Sequence, residues 1–219
     1  MLSDISANST IRLREVHSLL QVIRSLESET PLISSKDTKI TKGLFFVHLY
    51  GAYEYTVTET IQKVLQIISD GSYSVSSYKP SLLSVVLDAE CKAICSVGPD
   101  KKWLKRRALF EKAATDGIVS IDTVILPTGT GNLKQRQLEE LWSMLGVESP
   151  ALPRPPLIGR LEELVENRNA ISHGRESPVT IGGRFTSSDL ESRYNDVNEL
   201  CSYLIQQLEI YLRDKQFLR

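Results

Sequence analysis

The segment RNAISHG, residues 168–174, places an arginine and a histidine close together near the end of a predicted helix. A histidine titrates near neutral pH and can accept or donate a proton, while an arginine can hold two phosphate oxygens through its planar guanidinium. RNA carries its own nucleophile, the 2′-hydroxyl, so its cleavage requires a base, an acid and positive charge near the phosphate. Arg168 and His173 are therefore residue types that this reaction requires, and they are the first candidates for catalysis.

The spacing of the motif bears on how its side chains can meet. Arg168 and His173 are five residues apart, which separates them by about 140° on a regular helix. Asn169 and His173 are four apart and share a face, so the amide is predicted to hold one imidazole nitrogen and fix its tautomer. Gly174 predicts a left-handed cap that ends the helix at the histidine. This layout fits a composite site, in which two copies of the motif face each other.

A structural role explains the same residues without any chemistry. The helix dipole favours a histidine in a last helical turn, and an arginine there can cap free carbonyl groups. The spacing alone therefore does not decide between a capping motif and a catalytic one.

Arg168 also interrupts an apolar stripe of its predicted helix. A guanidinium on such a stripe is costly to bury unless it meets a carboxylate, another anion or a wet interface. Glu54, on the longest predicted helix, could supply the carboxylate inside the bundle or across a dimer. The stripe consists of Leu157, Leu161, Leu164, Arg168 and Ile171.

Helical periodicity dominates the rest of the chain and predicts an all-α, up-and-down bundle of about five to seven helices. Residues 118–132 are the only plausible strand material, but one short strand has no visible partner, so an extended loop is the alternative. We expect one domain over 1–219, with its core in about 40–215 and an N-terminal helix and loop in 1–39. The predicted helices cover 9–28, 41–71, 80–97, 101–114, a segment from Asn132 as candidate cap to Gly146 as stop, 157–173, and 187–214 with Ser187, Ser188 or Asp189 as cap.

Composition excludes several classes of protein. The formal net charge is −1, so no general attraction to nucleic acid or membranes is expected, and any contact with RNA must be local. No apolar stretch reaches the roughly 20 residues that span a bilayer, and the first residues do not resemble a signal peptide. The three cysteines are an odd number in a sequence without a secretory signal, so no disulfide framework is expected. These features predict a cytoplasmic protein that does not contact a membrane.

The segment KKWLKRR, residues 101–107, is a second candidate for contact with RNA. Its cations could hold the phosphate backbone while its tryptophan stacks on a base. The alternative is a solvated helix face with Trp103 and Leu104 turned inward. The candidate RNA-binding residues are Lys101, Lys102, Trp103, Lys105, Arg106 and Arg107.

Other reactive side chains receive a structural interpretation. Cys91 and Cys95 are four residues apart, but no second pair has metal-ligand spacing, so buried thiols are expected. His17 and His48 are predicted to be hydrogen-bonded core histidines. The sequence predicts neither a metal site nor a cofactor.

The segment ENRNAISHG resembles the signature of the HEPN superfamily, whose nuclease members carry an arginine, four to six residues, and then a histidine. A polar residue often follows the arginine, so Arg168, Asn169 and His173 match the pattern. The run FFVHLYGAYEYTVTETI is similar to the long second helix of prokaryotic HEPN-like nucleases, in which aromatic residues lead to a glutamate, here Glu54. NLKQRQLEELWSMLGV followed by LEELVENRNAISHG also resembles that group, so the resemblance covers about 40–215.

The resemblance implies an all-α bundle that dimerises and joins two motifs into a metal-independent endoribonuclease site. Arg168 and His173 would be catalytic, with Asn169 and Glu54 in support. Relatives act as toxins paired with antitoxins or as effectors of antiviral defence, which would add a partner protein to the RNA substrate. Other members lack the motif and only bind, so the alternative is a non-catalytic helical module for a partner protein or a nucleotide. Some relatives have a tyrosine near the histidine, whereas Gly174 and Arg175 follow it here.

Overall fold

A computed structural model describes residues 1–27, 34–123 and 132–219. These residues form α-helices joined by short turns, and they contain no extended strand. The all-α class is thus confirmed. The helices are α1 (Ser3–Leu26), α2 (Lys36–Asp70), α3 (Pro80–Val86), α4 (Asp88–Cys95), α5 (Pro99–Ala113), α6 (Gln135–Leu145), α7 (Leu157–Ser172), α8 (Pro178–Gly182) and α9 (Ser187–Arg213), with a 3-10 turn at Val75–Ser77.

The central element is α2, which packs against α1, α7, α8 and α9. It begins before the predicted start at residue 41 because Ser35 caps it, accepting a hydrogen bond from the backbone N–H of Thr38. Its aromatic run supplies much of the core, since Phe45, Phe46 and Tyr53 are fully buried. The prediction of a long, mostly buried central helix is confirmed.

The helix α1 belongs to the same core as α2. Its residues Val16, Leu20 and Ile23 are fully buried, and the hydroxyls of Ser9 and Thr56 lie 2.7 Å apart between the two helices. The buried cluster of the described residues therefore includes α1, which lies outside the 40–215 predicted for the core. Burying one apolar face of α1 stabilises it against α2 and α9.

The described residues hold nine α-helices, more than the predicted five to seven. The predicted helix over 80–97 is two helices, because Leu87 leaves the helical conformation (φ −109°, ψ 22°) and is buried. The short α8 carries too few residues to show a periodicity.

Two predicted helix caps were also wrong, although both helices exist. Thr186 caps α9, because its hydroxyl and the side chain of Asp189 form a reciprocal capping box. The cap position of α6 is Lys134 rather than Asn132. Gly146 ends α6 in the left-handed conformation (φ 73°), as predicted.

The predicted strand over 118–132 lies mainly outside the described residues, which end at 123 and resume at 132. Within the described part, Ile118 makes an isolated bridge with Ser74. Within the described residues no helix is apolar over a length that would cross a bilayer.

Two glycines allow α8 to lie directly against α2. A Cβ atom added at Gly43 would overlap the backbone of Pro178, and one added at Gly182 would overlap the carbonyl of Lys39. Nearby, the buried Nζ of Lys42 donates to the carbonyl of Phe185 at 3.1 Å. The segment that follows α7 therefore packs against α2 a few residues after His173.

Candidate active site

Arg168 lies in the last turns of α7 and is held against α2. Its guanidinium carbon is 4.4 Å from the centre of the Tyr50 ring, and its side chain is 26% exposed. The Nη1 atom donates to the amide oxygens of Asn132 at 3.1 Å and Asn169 at 2.8 Å. A ring face and two neutral oxygens thus fix the guanidinium, and none of these groups carries a full negative charge.

Glu54 is the carboxylate that lies near this guanidinium among the described residues. Its Oε2 is 3.9 Å from Nη2 of Arg168, and its Oε1 accepts a hydrogen bond from the Tyr50 hydroxyl at 3.0 Å. The predicted pairing within the bundle is confirmed, although the distance is too long for a hydrogen bond. Among the described residues, Nε and Nη2 of Arg168 have no hydrogen-bond acceptor, so this edge can receive another anion.

Two tyrosines of α2 fix the segment that contributes Asn132. The backbone N–H of Leu133 donates to the Tyr50 hydroxyl at 3.2 Å, and the Tyr53 hydroxyl donates to the carbonyl of Leu133 at 3.1 Å. Burial raises the pKa of Tyr50 to about 12, and the nearby Glu54 carboxylate adds to this effect. Burial also raises the pKa of Tyr53 well above its usual value, so both phenols stay protonated at neutral pH.

Asn132 was missed as a site residue and was interpreted only as a helix cap. Its side chain instead accepts from Arg168, 36 residues away in sequence. The sequence held a weak signal for this contact, because a guanidinium on an apolar stripe requires polar partners from another element.

Asn169 supports the site differently from the prediction. The residue is 7% exposed, and its amide oxygen accepts from the preceding Arg168. Within the described residues it makes no hydrogen bond to the His173 imidazole, so that predicted contact was wrong. The amide oxygen is instead held by a charged donor, which forms a stronger hydrogen bond than a neutral one.

His173 forms the end of α7 and is exposed to solvent. Its backbone N–H donates to the carbonyl of Asn169 at 2.9 Å, and Gly174 follows in the left-handed conformation (φ 68°), as predicted. Within the described ranges, the imidazole has no hydrogen-bond partner and is not bonded to Arg168. The ring is therefore free to reach a substrate beside the arginine or a residue of another chain.

The candidate RNA-binding residues of α5 are all exposed, and α5 packs mainly against α4 and the 3-10 turn rather than beside α7. Trp103 is 75% exposed and Leu104 is 65% exposed. The alternative in which both side chains turn inward was therefore wrong.

Other structural interpretations were also wrong. His17 is exposed and His48 is half-exposed beside α1, so neither is a core residue. Cys95 is exposed and Cys91 is half-buried, whereas Cys201 is the buried thiol. No cluster of three potential metal ligands occurs within the described residues.

An aromatic-rich central helix that packs on a helix ending in an arginine–histidine motif defines an all-α domain with a polar site at the helix end. The model of a family described as HEPN_MAE_28990-like HEPN matches residues 1–217. The chain belongs to the HEPN superfamily, and the resemblance seen in the sequence is confirmed and extends to α1. This membership indicates a domain of nuclease or RNA-binding type. No curated protein and no solved structure gives a significant match to the chain.

Proposed function

We propose that this protein is a metal-independent endoribonuclease that cleaves RNA by attack of the 2′-hydroxyl on the adjacent phosphorus. The observation that carries the proposal is the environment of Arg168. Its guanidinium is fixed by Tyr50, Asn132 and Asn169, but the Glu54 carboxylate remains 3.9 Å away. A purely structural arginine with this degree of burial would be expected to form a close pair with a carboxylate. Here, its free edge is suited to phosphate oxygens.

The roles of the two motif residues follow from their chemistry. Arg168 holds the phosphate and stabilises the charge that develops on the phosphorane. His173 transfers the proton, either from the 2′-hydroxyl or to the departing 5′-oxygen. The products are a 2′,3′-cyclic phosphate and a 5′-hydroxyl. Both proton transfers require a group that titrates near neutral pH, and one copy of the motif supplies one histidine, so we infer a homodimer with two motifs at its interface.

A stripe on α2 is a suitable face for the second copy. Leu44, Val47 and Gly51 recur at helical spacing, and Glu54 follows on the same face beside Arg168. Leu44 is 44% exposed, and a Cβ added at Gly51 would meet nothing within 4 Å. A glycine inside a helix costs about 0.5–1 kcal/mol relative to alanine, and no contact within the described chain requires it. Close approach of a second helix accounts for this glycine and brings the two arginines toward each other.

We expect Gly51→Glu to dissociate the dimer and reduce RNA cleavage by at least about tenfold, because a charge placed in a packed interface is costly. Gly159→Glu is the matched control, since Gly159 is also an exposed helical glycine with open space around it. Sedimentation equilibrium and a cleavage assay would measure both effects. An active wild-type monomer, or a Gly51→Glu variant that remains an active dimer, would contradict this face.

The direct test of the proposed activity is incubation of the purified protein with total RNA in excess EDTA. We expect cleavage to persist, because no step of the mechanism uses a metal, and we expect the new ends to carry cyclic phosphate and 5′-hydroxyl groups. Mass spectrometry of the fragments would identify these ends. Loss of cleavage on chelation, restored by adding a divalent cation, would contradict the metal-independent mechanism.

We further propose that the enzyme acts as a toxin or as an effector of antiviral defence, held inactive by an antitoxin or another partner protein. Membership in the HEPN superfamily supports this role, because toxins and defence effectors occur among the nucleases that the motif resembles. An active ribonuclease with no restriction on its substrate would damage the cell that makes it.

The second candidate is a non-catalytic helical module that binds a partner protein or a nucleotide. The imidazole of His173 favours it, because no described residue fixes its tautomer, whereas catalytic histidines are usually oriented by a hydrogen bond. Absence of cleavage on every RNA tested, with and without EDTA, would favour this module over the enzyme.

A further inference from the structure

The helix α5 presents large apolar side chains to solvent. Trp103 is 75% exposed and Phe110 is 72% exposed, whereas the other tryptophan, Trp142, is 4% exposed in the core. No residue of α5 is buried. Two aromatic rings on an exposed helix lose contact with water only when something else covers them, so their exposure indicates a binding surface.

The two rings share a face of α5 with two arginines. Trp103, Arg106, Arg107 and Phe110 lie at positions i, i+3, i+4 and i+7, and we call this set the α5 stripe. The guanidinium carbon of Arg106 is 5.0 Å from the centre of the Trp103 ring. Because Trp103 and Phe110 are seven residues apart, their Cα atoms are separated by about 10 Å along the axis, which is enough to engage two different bases.

The helix α5 carries an excess of positive charge that is only partly neutralised. Arg107 pairs with Glu111 at 2.8 Å, but Lys101, Lys102, Lys105 and Arg106 make no ion pair within the described residues. The chain as a whole has a net charge of −1, so this excess is a local property of α5. Such a surface complements a polyanion.

We propose that the α5 stripe binds single-stranded RNA. Trp103 and Phe110 stack on bases, while Arg106 on the same face and Lys102 beside it hold the phosphates. This arrangement requires unpaired bases with accessible ring faces. A duplex does not present these faces, because its bases are stacked on one another. The combination of exposed rings and unpaired cations selects a nucleic acid over an apolar peptide, since an apolar partner would leave the cations without counterions.

The stripe is a second contact point, separate from the motif of α7. It adjoins the turn that follows α2, and 16 residues of helix, 55–70, lie between Glu54 and the end of α2. This length corresponds to about 25 Å. The assignment of RNA as the ligand rests on the proposed function. The α5 stripe adds that the substrate of the proposed enzyme is single-stranded RNA.

The test uses a 12-nucleotide single-stranded RNA with 2′-O-methyl groups, which cannot be cleaved because the nucleophile is blocked. We expect the oligonucleotide to quench the emission of Trp103 and to leave that of the buried Trp142 unchanged. The double variant Trp103→Ala, Phe110→Ala should bind the labelled oligonucleotide at least about tenfold more weakly in fluorescence anisotropy. Because α5 contributes no buried residue, this variant is expected to fold, which circular dichroism would verify.

A matched pair of charge variants tests the role of the cations. Lys102→Gln, Arg106→Gln removes the two charges nearest the rings of α5, while Arg14→Gln, Lys36→Gln removes two exposed cations from α1 and the start of α2. The dependence of log Kd on log salt should fall by about 1.4 for the α5 variant and remain unchanged for the control.

Three outcomes would overturn the inference: equal effects of the two charge variants, binding without quenching of Trp103, or binding of a protein partner or anionic vesicles with no binding of the oligonucleotide. If these binding tests fail while EDTA-resistant cleavage is observed, the α5 stripe is not an RNA-binding surface and the proposed enzyme is still supported. Oligonucleotide binding by the α5 stripe without cleavage of unmodified RNA would support the binding surface and contradict the proposed enzyme.

Discussion

His173→Ala is expected to slow RNA cleavage by a factor of about 10²–10⁴, because it removes a group that transfers a proton in the proposed transition state. The imidazole is exposed and has no hydrogen-bond partner within the described residues, so the free energy of unfolding should change by less than about 0.5 kcal/mol. Single-turnover cleavage of a labelled RNA and denaturant unfolding would measure the two quantities. A large loss of activity without loss of stability is the expected signature.

Two further variants serve as controls for this result. His17→Ala removes another exposed histidine, on α1, and should leave cleavage unchanged. Arg168→Lys keeps the positive charge but loses the planar guanidinium that contacts Asn132 and Asn169. We therefore expect this variant to lose the activity of the wild-type protein.

A His173→Ala variant that retains most of the wild-type rate would contradict the catalytic assignment. Expression in a bacterial host offers an independent measurement, since the wild-type protein should arrest growth and His173→Ala should relieve the arrest. That pattern would also support the proposed role as a toxin or defence effector.

Gly43→Ala should destabilise the protein by about 1–3 kcal/mol, because the added methyl group overlaps the backbone of Pro178. No side-chain rotation can relieve the overlap, so α8 must move away from α2. Gly159→Ala is the matched control, since a Cβ there meets nothing within 4 Å and should stabilise α7 by up to about 1 kcal/mol. Urea unfolding of the two variants would give opposite signs.

Gly43→Ala should also lower RNA cleavage, because α8 holds the segment that follows His173 against α2. A shift of α8 therefore alters the position of the imidazole relative to Arg168. Equal stabilities of Gly43→Ala and the wild-type protein would show that α8 does not pack against α2 as described.

The helices could be predicted from the sequence because an amphipathic helix repeats its apolar residues over many turns. The break at Leu87 could not, since the apolar periodicity continues through 80–97 and only packing against different neighbours separates α3 from α4. The cap at Thr186 was missed because several hydroxyl and carboxylate residues follow one another there, and local sequence does not choose among them.

The candidate site could be predicted only where its residues lie on one helix. Arg168 and His173 were identified from their spacing, and the requirement of a guanidinium for polar partners pointed to Glu54. The contact with Asn132 depends on how Tyr50 and Tyr53 hold the backbone of Leu133. The hydrogen bonds of Leu133 with Tyr50 and Tyr53 join residues 83 and 80 positions apart, which a local pattern does not reveal.

The distance between Glu54 and Arg168 has a consequence for turnover. On the proposed mechanism, an incoming phosphate takes the free edge of the guanidinium, while the carboxylate stays bound to the Tyr50 hydroxyl. After the RNA backbone is cleaved, the Glu54 carboxylate is expected to stabilise the charge of the Arg168 guanidinium as the product phosphate leaves. If the proposed mechanism holds, this arrangement should ease product release and lower the affinity for RNA.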